Sequence, residues 1–559
     1  MAALARRINQ ACSNVPLHVR ELANLPNTNH RERDLHRWIN RQVWRGLLPQ
    51  PYDFSLPMSS DGLNEYNGTH SCLLVHEAFS CLSEYPELFE LMLKGPNLAD
   101  FWKGCEGTPW YDNHPIPLVR SSPSSCVPVR IYGDDAGVFE NQKVLILNWS
   151  SANVTSQLTL DNRIVFCAIT YLRLTDKSLD EVYKVLQWSM HSLALGVFPD
   201  RDHEGKLFSP TYNPERFRKA GRPLTGNGDI GVFSELLGDW KWQVEAIKLE
   251  YYYATNYICH RCRASRKIRR LVFTQYKRNS RLRRTKVSTR RFREYLIAQG
   301  VNRSWLTRII GFCIDRCLVD AMHNLDLGNY QTLVPCCIIE LVSENVWEGD
   351  SAESKFLAAH ADYSDWCRLE KIPPCPRWSA AMRKANDCPM FTAYNAKAAM
   401  TRHLMRWLYT VLLRPNVSVS DIQLVRLRMF AQWNVFETIC KESGRYFTAV
   451  QLARVQEAVE AALVAQNTLN ANALANGSFH WHQTPKCHMA THMAYDDCLV
   501  ANPRTVHCYC DEDLVGKMKR TIAKCHGGTA GRMGTMRYVI LAGTRWWSRL
   551  VSLRGLGIS

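Results

Sequence analysis

No run of 18 uninterrupted apolar residues occurs in the 559-residue chain, so no membrane-spanning helix and no membrane partner are expected. The first residues, MAALARRINQACSNVPLHVREL, lack the apolar core of roughly 7–15 residues that a secretory signal needs. A secreted protein is therefore not expected. No internal repeat or low-complexity tract stands out. Residues 1–125 contain no zinc-finger frame: His70, Cys72, His76 and Cys81 are scattered without C-x2-C and H-x3-H spacing. Acid is also in short supply relative to base.

What is present is base, sulfur and aromatic. Lys and Arg outnumber Asp and Glu 69 to 52, a net charge of +17. Such a surplus calls for a polyanionic partner, nucleic acid first and an acidic membrane surface second. The 21 cysteines of a chain not expected to be exported are read as reduced thiols or metal ligands before disulfides. With 46% hydrophobic residues, 17 Trp and 22 Tyr, the chain has an ordinary globular composition and length for two or three domains.

Residues 1–125 mix Pro-, Asn- and Trp-rich turns with short helical patterns such as Arg31–Trp44. Strand character begins at 127–151. There two β-branched runs flank the acidic Tyr132-Gly133-Asp134-Asp135, which predicts a hairpin with its turn at the acids. VFCAITYLRL (165–174) predicts a third strand, SLDEVYKVLQWSMHSLALGVF (178–198) a helix opened by Ser178, and 225–243 a turn followed by a strand or short helix. The apolar WLTRIIGFCIDRCLV (305–319) predicts another helix. Between about 350 and 475, AKAAMTRHLMRWLYTVLL and FTAVQLARVQEAVEAALVAQ carry apolar stripes at i, i+3, i+4 and i+7. Strands first, a helical block inside and a mixed end predict an α/β nuclease core with a helical insertion. The expected segments are 1–125 (mixed or helical), 126–345 (first part of the core), 346–475 (insertion) and 476–559 (the rest of the core).

Several short patterns carry chemistry. Adjacent carboxylates at Asp134 and Asp135 can hold Mg2+, a hard cation that prefers oxygen. Tyr-x-Asp-Asp is also the palm pattern of template-directed polymerases, although only 131 residues precede it, and Gly with Asp favours a solvated turn on local grounds alone. Cys259 and Cys262 form a C-x2-C knuckle, half of a tetrahedral zinc site. His488 and His492, in TPKCHMATHMAYDD, are four apart; on a helix they share a face and complete the set, or they are simply polar residues on a helix flank. Asp320 and His323, at i, i+3, can form a hydrogen-bonded pair or a turn cap. Asp511, Glu512 and Asp513 precede Lys517, Lys519 and Arg520, an order that suits a helix macrodipole by itself.

Residues 261–293 hold 15 Lys/Arg and no acid. Arg266, Lys267, Arg269, Arg270, Lys277, Arg278, Arg283 and Arg284, interleaved with Phe273, Tyr276 and Phe292, suit phosphate contacts with occasional stacking. A nuclear localisation signal or a solvated basic helix are the other readings of this stretch.

The order of these pieces over roughly 125–545 resembles the DDE/D transposases of the CACTA group, as a divergent, protist-type relative: acidic pair, Gly-Asp239-Trp, C-x2-C, basic stretch, D-x2-H, helical block, P-K-x-H-x3-H, then E-x3-G-x2-K-R at Glu512, Gly516, Lys519 and Arg520. The resemblance implies an RNase H-like nuclease core interrupted by a mostly helical insertion domain. It implies that Asp134 or Asp135, Asp239 and Glu512 hold two catalytic Mg2+ (or Mn2+) ions for DNA strand cleavage and transfer. It further implies a structural Zn2+ on Cys259, Cys262, His488 and His492, as in the related antigen-receptor recombinases, with Asp320 and His323 as an accessory pair. DNA as partner, a homo-oligomer and a nuclear location follow from it as well. The competing readings are a non-catalytic, zinc-stabilised nucleic-acid-binding descendant and a polymerase built on Tyr132–Asp135.

Overall fold

Three β-branched runs and one Gly-led segment build a four-stranded mixed sheet. The structure is a computed structural model and describes residues 46–554 except 60–63, 97, 140–141, 155–157, 172–173, 250, 299–302, 377, 379–388, 390–395, 418 and 526–529, together with 20, 23, 24, 34 and 38. The helical pattern expected at Arg31–Trp44 lies almost wholly outside the described residues. The chain is mixed α/β, 54% helical over the described residues, and divides into two compact units, the first comprising 1–238, 302–313 and 509–559 and the second 239–301 and 314–508. These units cut the chain at different points from the four segments read from the sequence pattern.

In the first unit a hairpin of β1 (Tyr52–Ser59) and β2 (Glu65–Cys72) precedes the main sheet. The sheet consists of β3 (Cys126–Phe139), β4 (Gln142–Ser151), β5 (Ile164–Thr170) and β6 (Ile230–Leu237). Its spatial order is β5-β4-β3-β6, antiparallel from β5 to β3, with β6 parallel to β3. A parallel neighbour needs a crossover, and helix α1 (Asp176–Leu195) lies on it. Every residue of β5 and β6 is buried, and β5 accordingly reads as a continuous apolar run rather than an alternating one.

Ser178 does not open α1, as the sequence pattern suggested. The helix starts at Asp176 behind Thr175, whose N–H donates to the Ser178 hydroxyl at 2.8 Å. It ends at Gly196, φ 73°, where a Cβ would also meet the Ile230 side chain at 2.8 Å.

Two expectations are corrected here. The acids are not a hairpin turn: Gly133, Asp134, Asp135 and Ala136 lie inside β3, opposite Leu147, Ile146, Leu145 and Val144 of β4. Gly and Asp favour turns locally, but the ladder to an apolar partner strand outweighs that preference. The stretch 305–319 is not a helix either. It forms two short 3-10 turns, Trp305–Arg308 and Ile314–Arg316, separated by Gly311 at φ 84°, where a Cβ would strike the His114 ring at 2.5 Å.

The second unit opens with α2 (Trp240–Ala246) and, at the end of the basic stretch, α3 (Thr289–Ala298). A π-helical turn, Met322–Asn329, leads into α4 (Tyr330–Ser343). The two striped stretches form α5 (Ala398–Leu412) and α7 (Ala449–Ala475), with α6 (Asp421–Glu442) between them, and α8 (Pro485–Tyr495) carries His488 and His492. A buried charge network ties this bundle together: Arg504 donates to both oxygens of Asp326 at 2.8 Å and to Glu437, which also accepts from Tyr330 at 2.8 Å.

The chain then returns to the first unit as α9 (Tyr509–Ile522) and α10 (Ala530–Leu553). Helix α10 covers the edge strand β5. The Thr535 hydroxyl accepts from the Ala168 N–H at 3.0 Å, and the Tyr538 hydroxyl donates to the Arg163 carbonyl at 2.9 Å. Covering an edge in this way removes a template for unwanted strand pairing.

Candidate functional site

Within the second unit, Cys259 and Cys262 sit on a tight knuckle closed by the Ile258 N–H bonding the Ala264 carbonyl at 2.9 Å. The Arg261 N–H points back at the Cys259 sulfur, 3.3 Å away. His488 and His492 lie one turn apart on α8, their rings edge to face with centroids 4.9 Å apart. The four residues meet across more than 220 positions of chain. The Cys259 sulfur is 3.4 Å from His492 Nε2, and the Cys262 sulfur is 3.2 Å from His488 Nε2. All four ligand atoms lie within 4.8 Å of one another, and all four residues are buried. A tetrahedral zinc with bonds of about 2.3 Å to sulfur and 2.0 Å to nitrogen separates such atoms by about 3.5 Å, so the donor set fits that ion.

The surroundings favour a metal. Nδ1 of His492 is 2.6 Å from Asp496, and Asp496 is held in turn by Arg283 at 2.9 Å and Lys286 at 3.4 Å. A carboxylate on the far nitrogen fixes the tautomer that leaves Nε2 for a cation. Burial alone would raise the Cys259 thiol, but the hydrogen bond from Cys262 and the charge of His492 hold it well below its ordinary value. The thiolate is the metal-binding form. The buried Arg261 braces the knuckle by pairing with Asp497 at 2.5 Å and bonding the Cys317 carbonyl.

The carboxylates of the first unit form a second cluster. Alternation along β3 puts Tyr132 and Asp134 on one face and Asp135 on the other. The Tyr132 hydroxyl donates to Glu512 Oε1 at 2.8 Å, 380 residues away in sequence, and lies 3.3 Å from Asp134 Oδ2. Asp135 pairs instead with Lys143, at 2.9 and 3.1 Å.

The three consecutive acids of α9 point three ways. Asp511 is buried against Arg163 at 2.8 Å, and Asp513 bonds Lys517 and Thr159. Glu512 is the one at Tyr132. Arg130 and Glu235, a buried pair at 3.1 Å, lock β3 to β6 beneath this face.

No protein-family model and no curated protein matches this chain.

The remaining predicted residues lie in the second unit. Asp239 is its first residue, two positions beyond the end of β6, and its carboxylate accepts from the Trp242 N–H at 2.6 Å, capping α2. Asp320 is buried and bonds His323 Nδ1 at 2.6 Å and the Cys508 N–H at 3.0 Å. Burial would push the Asp320 carboxyl up, but the hydrogen bond and charge of His323, with the neighbouring amides, bring it down to about 2. Burial lowers the Lys486 ammonium, partly offset by the charges of Asp239 and Asp320. Lys486 donates to the His323 and Leu327 carbonyls at 2.7 and 3.1 Å.

In the basic stretch Arg266, Lys267, Arg269, Arg270, Lys277, Arg278 and Arg284 are exposed. Arg283 differs: it is half-buried and engaged with Asp496 and the Tyr495 ring.

Sequence reasoning passed over Tyr132 as a bridge, Asp496 behind His492, Arg163 beneath Asp511, and the structural role of Arg283. The signal for Asp496 is present, since it stands four residues after His492 on one helical face. Nothing local marks Arg163, whose partner is 348 positions away.

Proposed function

We propose that the chain is a transposase-like polynucleotidyl transferase that cuts and joins DNA with two divalent metal ions, and that its sheet is an RNase H-like core. The observation that carries this reading is the meeting of Asp134 and Glu512 at the Tyr132 hydroxyl. Two acids so far apart in sequence, on a central strand and on a helix that returns after the whole second unit, are what a shared Mg2+ or Mn2+ site requires. Asp134 rather than Asp135 is the first acid in this reading, because Asp135 turns to Lys143. Asp239, the third carboxylate that the resemblance implies, stands two residues after β6 and caps α2. Three antiparallel strands, a crossover helix and a strand parallel to the first are the order that an RNase H-like core needs.

Divalent cations bound there would supply Lewis-acid activation of water for strand cleavage and of a freed 3′-hydroxyl for strand transfer. Asp134 and Glu512 would hold the ions, and the Tyr132 hydroxyl, donating to Glu512 beside Asp134, keeps the two carboxylates near each other. Cys259, Cys262, His488 and His492 would hold a structural Zn2+, which would fasten the C-x2-C knuckle to α8 with all four positions taken by protein. The exposed arginines and lysines of 261–293 contact DNA phosphates, and the protein works in the nucleus as a homo-oligomer. A second reading, a zinc-stabilised DNA-binding protein without catalysis, is favoured by the completeness of the Cys2His2 set. A polymerase is disfavoured because Asp135 is tied to Lys143.

The deciding experiment is nicking of supercoiled plasmid DNA in Mg2+ or Mn2+. Activity lost in Asp239→Asn and in Glu512→Gln supports the nuclease. Metal-dependent nicking that persists in both variants rejects the site. DNA binding without any nicking leaves the second reading.

A further inference from the structure

Beside the zinc knuckle, inside the second unit, lies a cleft of about 360 Å³. Three tyrosines line it. The Tyr251 and Tyr257 rings are 5.4 Å apart, and Tyr251 and Tyr295 are 6.3 Å apart at 33°. The guanidinium side chains of Arg263 and Arg291 belong to the same lining, both exposed. Among the described residues neither has an acidic partner, and no carboxylate is found in the lining.

His260 also lines the cleft. It is only 5% exposed, and neither of its ring nitrogens has a hydrogen-bond partner among the described residues. A buried imidazole without partners is unusual, and one nitrogen accepts while the other donates.

A ligand for this lining needs a flat π-face for the tyrosines and a negative charge for the arginines. The volume falls at the small end of ligand sites, which run from roughly 300 to 1,000 Å³, and suits a single nucleotide. The geometry points to a subsite for one nucleotide of single-stranded nucleic acid, its base against the Tyr251–Tyr257–Tyr295 cluster and its phosphate on Arg263 and Arg291. This rests on the reading of nucleic acid as the partner, and not on the nuclease chemistry. The subsite lies at the start of the basic stretch, so a strand held there can continue onto its exposed cations.

The test is fluorescence anisotropy of a labelled 20-nucleotide oligo-dT with the full-length, zinc-loaded chain. Tyr251→Ala is expected to raise Kd about tenfold, the loss of one base stack, and Tyr251→Phe to restore it. Arg291→Ala, an exposed change that spares the packing, is expected to raise Kd and to flatten the slope of log K against log salt by about 0.7. Binding that is unchanged in both Tyr251→Ala and Arg291→Ala overturns the subsite, as does a wild-type chain that does not bind the oligonucleotide. The nicking assay fails independently: Tyr251-dependent binding without nicking keeps the cleft and discards the nuclease, whereas nicking with indifference to Tyr251 does the reverse.

Discussion

Nδ1 of His492 lies 2.6 Å from the carboxylate of Asp496, one helical turn further along α8. The contact leaves Nε2 of the same ring facing the Cys259 sulfur, so one side chain outside the ligand set fixes the orientation of a member within it. Asp496→Ala is expected to weaken zinc binding by about 10–100-fold, and Cys259→Ser to abolish it at stoichiometric zinc. Competition against a chromogenic chelator measures both. Affinity within twofold of wild type in Asp496→Ala removes the orienting role. Zinc content unchanged in Cys259→Ser removes the site itself.

Beneath α9, Arg163 and Asp511 form an ion pair with side chains only 4% and 0% exposed. Breaking one partner of such a pair strands the other charge in a dry interior. Arg163→Ala is expected to cost about 3–5 kcal/mol in urea unfolding, whereas Arg163→Met with Asp511→Leu recovers most of it. A cost under about 1 kcal/mol for the single change contradicts the burial. Because Glu512 follows Asp511 directly, loosening this anchor also frees the acid at Tyr132.

Periodic and short-range signals made much of this legible in the sequence. C-x2-C at Cys259 and Cys262 and the four-residue spacing of His488 and His492 each select one face, so their meeting required only that both faces turn inward. The stripes around 396–413 and 447–466 gave α5 and α7 for the same reason. The failures lie where distant pairing decides. Tyr132–Asp135 has the composition of a turn, yet it is strand because β4 supplies an apolar partner. The stretch 305–319 has a helical pattern, but Gly311 takes a left-handed φ against His114. Neither β4 pairing nor the His114 contact is encoded in the neighbouring residues.

The Asp320 carboxyl, held down to about 2 chiefly by His323, makes stability depend on acid pH. As the folded value lies below the ordinary 3.8, the unfolded chain takes up its proton first as pH falls. The contribution is therefore complete above about pH 4 and disappears as pH drops through about 2, amounting to roughly 2–3 kcal/mol. Urea unfolding of wild type and Asp320→Asn across this range should show a gap that is widest above pH 4 and closes in acid. A gap that stays constant down to about pH 2.5 refutes the ion-pair account.

The two faces of β3 make Asp134 and Asp135 unequal. Asp134 shares the Tyr132 hydroxyl with Glu512, so Asp134→Asn takes one negative charge from the group proposed to balance two divalent cations. A loss of several kcal/mol of charge stabilisation corresponds to a fall in nicking of about a hundredfold or more. Asp135 faces the half-exposed Lys143, and a surface pair of that kind contributes about 0–1 kcal/mol, so Asp135→Asn should nick DNA at close to the wild-type rate and unfold at nearly the same urea concentration. Tyr132→Phe keeps the ring in its place and removes only the bridging hydroxyl. It should raise the Mg2+ concentration needed for half-maximal nicking while changing the rate at saturating metal far less than Asp134→Asn does. Initial rates on supercoiled plasmid, measured across a Mg2+ titration, separate the three variants. If Asp135→Asn is the inactive one and Asp134→Asn is not, the face of β3 assigned to the metals is the wrong face, and Glu512 meets Tyr132 for structural reasons alone.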